Sequence, residues 1–156
     1  MKLREARPRE AALLSALALR AKALWGYSRE FMQACRAELT YSAQDLACGG
    51  FVVAEEDGRI VGFYALAPVV DATVELEALF VEPKEVGRGL GRALIEHAKA
   101  RAGSLGARRV VVQSDPHASR FYGEAGGVRM GSRPSGSIPG RMLPVFVIEL
   151  APARVG

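Results

Sequence analysis

The sequence predicts an α/β fold of the mixed, α+β kind: one domain whose sheet joins an antiparallel hairpin to a strand, crossover helix and parallel strand. Three observations carry this. Two apolar stretches, Phe51 to Ala54 and Ile60 to Leu66, flank Asp57-Gly58, a strong two-residue hairpin signal. Thr73 to Val81 alternates through its first half as a strand does, and an amphipathic helix and a second short apolar run, Arg109 to Gln113, follow it. Strand, crossover helix and strand in that order place 109–113 parallel to 73–81. Finally, 156 residues with 49% hydrophobic content suffice for one core without disulfides or metal.

Each element has a local reason. Met1 to Ala6 reads as a short first strand or arm. Pro8 suits the first turn of a helix, and Leu14, Leu17, Ala21, Leu24 and Trp25 recur at near-helical spacing, predicting a helix over 8–25 that Gly26 ends. Ser28 can cap a second helix with Phe31, Met32, Cys35 and Leu39 on its inner side. Ser42 to Asp45 fits a capping box for a brief third helical turn before Gly49-Gly50. The aromatics Trp25, Tyr27, Phe31 and Tyr41 of this segment read either as packing or as the wall of a substrate pocket. After the hairpin and strand 73–81, Leu90, Ala93, Leu94, Ala98 and Arg101 continue a helix to Gly103, with His97 a partly exposed residue on it. Met142 to Leu150 forms a final apolar strand with Pro144 near its edge, and 131–141 is the loop before it.

Composition narrows the function classes. No apolar run of about 18 residues occurs, and no basic segment precedes an apolar one at the start, so neither a membrane span nor a signal peptide is expected and a cytoplasmic location follows. Cys35 and Cys48 fit no metal or redox spacing and read as small hydrophobes, and two histidines are too few for a zinc cluster, so no metal is expected. The net charge of +4 suits a polyanionic ligand, but scattered arginines without an aromatic-basic stripe argue against nucleic acid.

The chemistry concentrates after strand 73–81. Gly87, Gly89 and Gly91 open the following helix, where unpaired N–H groups and the helix dipole favour an anion; a tight strand-to-helix turn explains the glycines as well. A P-loop would require Gly-Lys-Ser/Thr where the chain has Gly91-Arg92-Ala93, and a dinucleotide fingerprint would require glycine at residue 92. Both nucleotide readings weaken.

Val86-Gly87-Arg88-Gly89-Leu90-Gly91 instead resembles the acyl-CoA loop of the GCN5-related N-acetyltransferases (GNAT), Gln/Arg-x-x-Gly-x-Gly/Ala, with Val86 in place of the Gln/Arg. Farther on, Asp115 to Gly127 resembles that family's later signature, Asn-x-x-Ala-x-x-Phe-Tyr-x-x-x-Gly-Phe. Ala118, Phe121, Tyr122 and Gly126 stand in register, Asp115 replaces Asn and Gly127 replaces Phe. The resemblance covers roughly residues 50–150 and implies a GNAT-like, mostly antiparallel sheet with a central parallel pair that splays, and helices on both faces.

It implies acetyl-CoA as co-substrate and an amine, small molecule or peptide, as acceptor. Val86, Gly87, Arg88, Gly89, Leu90, Gly91 and Arg92 would hold the pyrophosphate, with Arg88 and Arg92 supplying charge. Leu79, Phe80 and Val81 would pair with pantetheine, the Val81 N–H would polarise the thioester, and Asp115, Ala118 and Phe121 would flank the arm. Tyr122 would protonate the departing thiolate, although a tyrosine anchoring its helix fits too. Glu75 and Glu77, two apart and so on one strand face, are candidates for the base that takes the amine proton; an exposed face or ion pair explains them equally. Arg133 and Arg141 either engage a substrate carboxylate or are solvated. A non-catalytic acyl-CoA-binding module is the alternative function, and a homodimer through the final strand or the N-terminal helices is open.

Overall fold

The computed structural model describes residues 1–151. Seven strands form one sheet: β1 (Lys2–Glu5), β2 (Phe51–Glu56), β3 (Arg59–Leu66), β4 (Thr73–Val81), β5 (Arg109–Gln113), β6 (Gly127–Pro134) and β7 (Met142–Glu149). Their spatial order is β1-β2-β3-β4-β5-β7-β6, and every neighbouring pair is antiparallel except β4 with β5. The helices are α1 (Ala11–Ala23), α2 (Arg29–Cys35), α3 (Ala43–Ala47), α4 (Leu90–Ser104) and α5 (Ser119–Glu124).

Strand alternation sends side chains to two cores. Val52, Tyr64, Val74 and Leu76 pack with Leu94, Ile95 and Ala98 of α4 and with Tyr122 of α5. Val53, Phe63 and Ala78 pack on the opposite face with Leu14, Leu17 and Ala18 of α1 and with Cys35 and Leu46. Helices therefore cover both faces, as expected. Caps set several ends: the Ser28 hydroxyl accepts from the Phe31 N–H, and Ser42 with Asp45 completes a capping box at α3. His97 is not idle on α4, because its Nδ1 lies 2.8 Å from the hydroxyl of the fully buried Tyr64 and gives that core phenol its partner.

Three expectations need correction. The first helix is shorter than 8–25: Pro8–Glu10 forms a 3-10 turn, α1 begins at Ala11, and Leu24 and Trp25 lie exposed beyond its end. The segment 131–141 is not all loop, since β6 runs to Pro134 as the sheet's outer strand and leaves only 135–141 free. Gly131 to Pro134, the part in question, is exposed and carries no apolar alternation to read. β7 is an inner strand between β5 and β6, yet carries Pro144. The Pro144 carbonyl accepts from the Ser114 N–H at 2.9 Å, just beyond Gln113–Val145, the last pair of β5 with β7, so the missing proline N–H faces the end of β5, where strand pairing stops.

Candidate active site

β4 is interrupted on both of its edges at the same residue. Toward β5, pairing runs from Thr73–Arg109 to Leu76–Val112 and stops, although both strands continue. Toward β3, Ala65 pairs with Ala78 but Leu66 with Leu76, leaving Glu77 as the extra residue of a bulge. The bulge reverses the alternation. Val74 and Leu76 face α4 before it, whereas Leu79 and Val81 face α4 after it, and Ala78 and Phe80 turn to α1. The β5-facing edge of residues 77–81 is thereby left without a strand partner, at the floor of a cleft of about 1360 Å³.

Beyond β4 a 3-10 turn, Pro83–Glu85, leads into the glycines. Gly87 (φ 92°) and Gly89 (φ 81°) take left-handed backbone that a side chain would strain. Among the described residues the first N–H of this helix to find a backbone acceptor is that of Ala93, bonded to Gly89 O at 3.1 Å; those of residues 87–92 donate to no protein group. Gly91 has a different reason to be glycine: a Cβ there would stand 3.3 Å from the Phe121 ring, which packs against the start of α4.

The cleft is lined by Glu75, Glu77, Leu79, Phe80, Val81, Val86, Gly87, Gly89, Leu90, Gly91, Arg92, Asp115, Ala118 and Phe121. Sequence reasoning named all of these. Two residues it named for catalysis or cofactor binding stand apart. Arg88 turns away to form ion pairs with Glu85 and, at 3.0 Å, with Glu56, so its side-chain charge is directed elsewhere. Tyr122 is only 7% exposed and lies in the core beside the cleft, its ring 5.0 Å from Phe121 and 6.3 Å from Phe146. Burial pushes its phenol well above the usual range. Val86 presents an apolar side chain, 59% exposed, at the cleft.

At the bulge, the titration of the Glu77 carboxyl is displaced upward. Burial raises it first, followed by the negative charges of Glu75 and Asp45. Asp45 and Glu38 also line the cleft, as do Tyr41, Trp25 and Phe51. Sequence reasoning missed Glu38, and saw Asp45 only as a cap, because neither has a motif neighbour. Of the two cysteines, Cys35 is buried as expected, while Cys48 is exposed and lines the cleft.

Asp115 is not free for a ligand. Burial alone would raise its pKa, but the His117 N–H, the Tyr27 hydroxyl, the His117 ring and the Lys22 charge outweigh this and hold it at about 2. Tyr27 donates at 2.8 Å, Lys22 lies at 3.3 Å and the Arg141 guanidinium at 3.7 Å. Arg141 also donates to the Tyr27 hydroxyl at 2.6 Å and lies over the Phe31 ring. It is thus neither solvated nor open to a substrate carboxylate. Arg133, half exposed, reaches Glu75 at 3.8 Å. The loop 135–141 closes on the helices at a second point, where the Ser137 hydroxyl donates to Glu38 at 2.7 Å.

The Asp115 network ties three loops together, and its pH dependence follows. A folded pKa of about 2 against an ordinary 3.8 means that the ionised carboxylate stabilises the fold above the ordinary value, and that this is lost as pH falls through the folded one. Asp115→Asn is expected to cost about 1.5 kcal/mol near neutral pH. Urea unfolding should show the gap from wild type closing as the pH is lowered from about 4 toward 2. A gap independent of pH would disprove the charge's role.

Among the described residues no group of three or more His, Cys, Asp or Glu is placed to hold a metal ion, and no helix is long and apolar enough to cross a membrane.

Comparison with known proteins agrees with this geometry. Uncharacterized N-acetyltransferases of Mycobacterium tuberculosis and Mycobacterium bovis are 40% identical to the chain over 78 residues, which is 48% of this chain and 50% of theirs. The match thus spans about half the length of these relatives. The PaiA N-acetyltransferase of Thermoplasma acidophilum, solved with coenzyme A, superimposes with a TM-score of 0.77 at 19% identity over 95% of this chain and 98% of that one. YncA of Salmonella typhimurium, solved with acetyl-CoA, gives 0.69 at 22% identity over 100% and 97%. Residues 15–126, which include the interrupted β4, the glycine turn and most of the Asp115–Gly127 block, match the profile of the acetyltransferase (GNAT) family, and the chain belongs to it.

Proposed function

We propose that the protein is an acetyl-CoA-dependent N-acetyltransferase acting on a primary amine. The observation that carries this is the run of N–H groups at residues 87–92 without protein acceptors, opening into the same cleft as the unpaired edge of β4. Such a run at a helix N-terminus suits a pyrophosphate, and the bare strand edge suits an extended pantetheine arm adding as a strand would. Acetyl-CoA supplies the acetyl group as a thioester. The contact at the turn comes from backbone N–H groups, with Arg92 adding charge and Val86 adding none. The Val81 N–H polarises the thioester carbonyl.

The acceptor enters between α1, α3 and the loop 135–141, on the side lined by Glu38, Asp45, Glu75 and Glu77. Carboxylates there attract a positively charged amine, and one must accept its proton. Glu77, raised by its surroundings and placed at the bulge beside the thioester site, takes that proton directly or through water. The neutral amine attacks the thioester carbon, the C–S bond breaks, and the Tyr122 hydroxyl protonates the thiolate.

Incubation with acetyl-CoA and a panel of diamines, amino acids and peptides should release free thiol with at least one class of amine. Binding of acetyl-CoA without thiol release across the panel would instead favour a non-catalytic binding module. Once an acceptor is found, Glu75→Gln gives a finer test. Removing that negative neighbour makes Glu77 easier to ionise, so the acid limb of kcat/KM is expected to move to lower pH. An unmoved limb would assign the base elsewhere.

A further inference from the structure

A second concavity, of about 530 Å³, lies away from the cleft between the N-terminal segment, α1 and the β2–β3 turn. Arg4, Arg7, Arg9, Arg20 and Arg59 line it against only two carboxylates, Glu10 and Glu55. Both carboxylates are already engaged. Glu10 accepts from Arg4 at 2.8 and 2.9 Å and from the Arg7 N–H at 2.7 Å, and Glu55 accepts from Arg4 at 3.4 Å. Arg20 is held by Glu82, to which it donates at 2.6 and 2.9 Å. The guanidinium groups of Arg7, Arg9 and Arg59 have no carboxylate partner among the described residues.

These three come from separate parts of the chain. Arg7 and Arg9 flank Pro8 in the 3-10 turn, and Arg59 follows the Asp57-Gly58 corner as the first residue of β3. The fold thus gathers unneutralised positive charge into one hollow, where it repels itself and raises the local potential for an anion. Solvated arginines scattered over a convex surface would carry no such meaning. Leu13, 60% exposed, and Ile60 give the hollow an apolar wall. The guanidinium fork matches phosphate oxygens in pairs, and three forks exceed what a single phosphate needs.

We propose that this groove binds a small polyanion carrying two linked phosphate groups. The claim is independent of the acetyltransferase reading. Pyrophosphate is the probe, titrated calorimetrically into the full chain at about 50 mM salt, where screening is modest. Since pyrophosphate also suits the glycine turn, wild type is compared with Arg9→Gln/Arg59→Gln, whose positions are exposed and outside the cleft. The double variant is expected to lose one binding event, or to weaken it about tenfold, with a melting temperature no lower than that of wild type. A second measurement needs no variant: on wild type, the side-chain Nε–H resonances of Arg9 and Arg59 should shift on addition of pyrophosphate. Coincident isotherms for wild type and variant, or arginine resonances that do not move, would overturn the proposal.

Discussion

Tyr122→Phe is expected to lower kcat for thiol release by about 100-fold or more while leaving CoA affinity nearly unchanged. The ring is held between Phe121 and Phe146, and phenylalanine preserves that packing. What disappears is one O–H, which donates to no protein acceptor among the described residues and yet is not a sealed orphan. Because burial keeps the phenol protonated across the working range, Tyr122 should contribute no limb of its own to the pH profile. Steady-state kinetics alongside a CoA titration separates the cases. Unaltered kcat would leave Tyr122 as a helix anchor only.

Gly50→Ala should have the largest effect on stability, a loss on the order of 3 kcal/mol, from left-handed strain and a forced contact together. Gly50 has φ 91°, and a Cβ built there would stand 2.2 Å from the Leu66 carbonyl oxygen. Leu66 cannot simply withdraw, because its N–H is bonded to Gly50 O at 2.9 Å and it pairs with Leu76 beside the Glu77 bulge. A urea midpoint for Gly50→Ala equal to wild type would show that the two strands separate more freely than this packing implies.

Much of this architecture was legible because its signals are local. Asp57-Gly58 sets the hairpin, Ser28 and Ser42 set helix starts, and the alternation of Val74 and Leu76 against Glu75 marks a strand with one covered face. The glycine turn was legible too, since φ values available to few other residues leave a spacing in the sequence. The bulge was not. After Glu77 the run Ala78 to Val81 is apolar throughout, so it reads as a strand buried on both faces rather than as a change of face. The fate of Asp115 was equally hidden, because it depends on Tyr27 and Lys22, 88 and 93 residues earlier in the chain. A motif position states what a residue is able to contact; its unlike neighbours decide what it does contact.

The extra residue in β4 also bears on which sequence changes the protein can survive. Substituting Glu77 removes a carboxylate and leaves the strand's layering intact. Deleting it would close the bulge and join Leu76 directly to Ala78, so Ala78 and Phe80 would still face α1 and Leu79 and Val81 would still face α4, whereas straightening the strand with Glu77 kept would turn all four to the wrong layer. A descendant of this protein can therefore lose the acid by point mutation or by a single-codon deletion without misplacing the core, but only the deletion would also erase the bulge at the floor of the cleft.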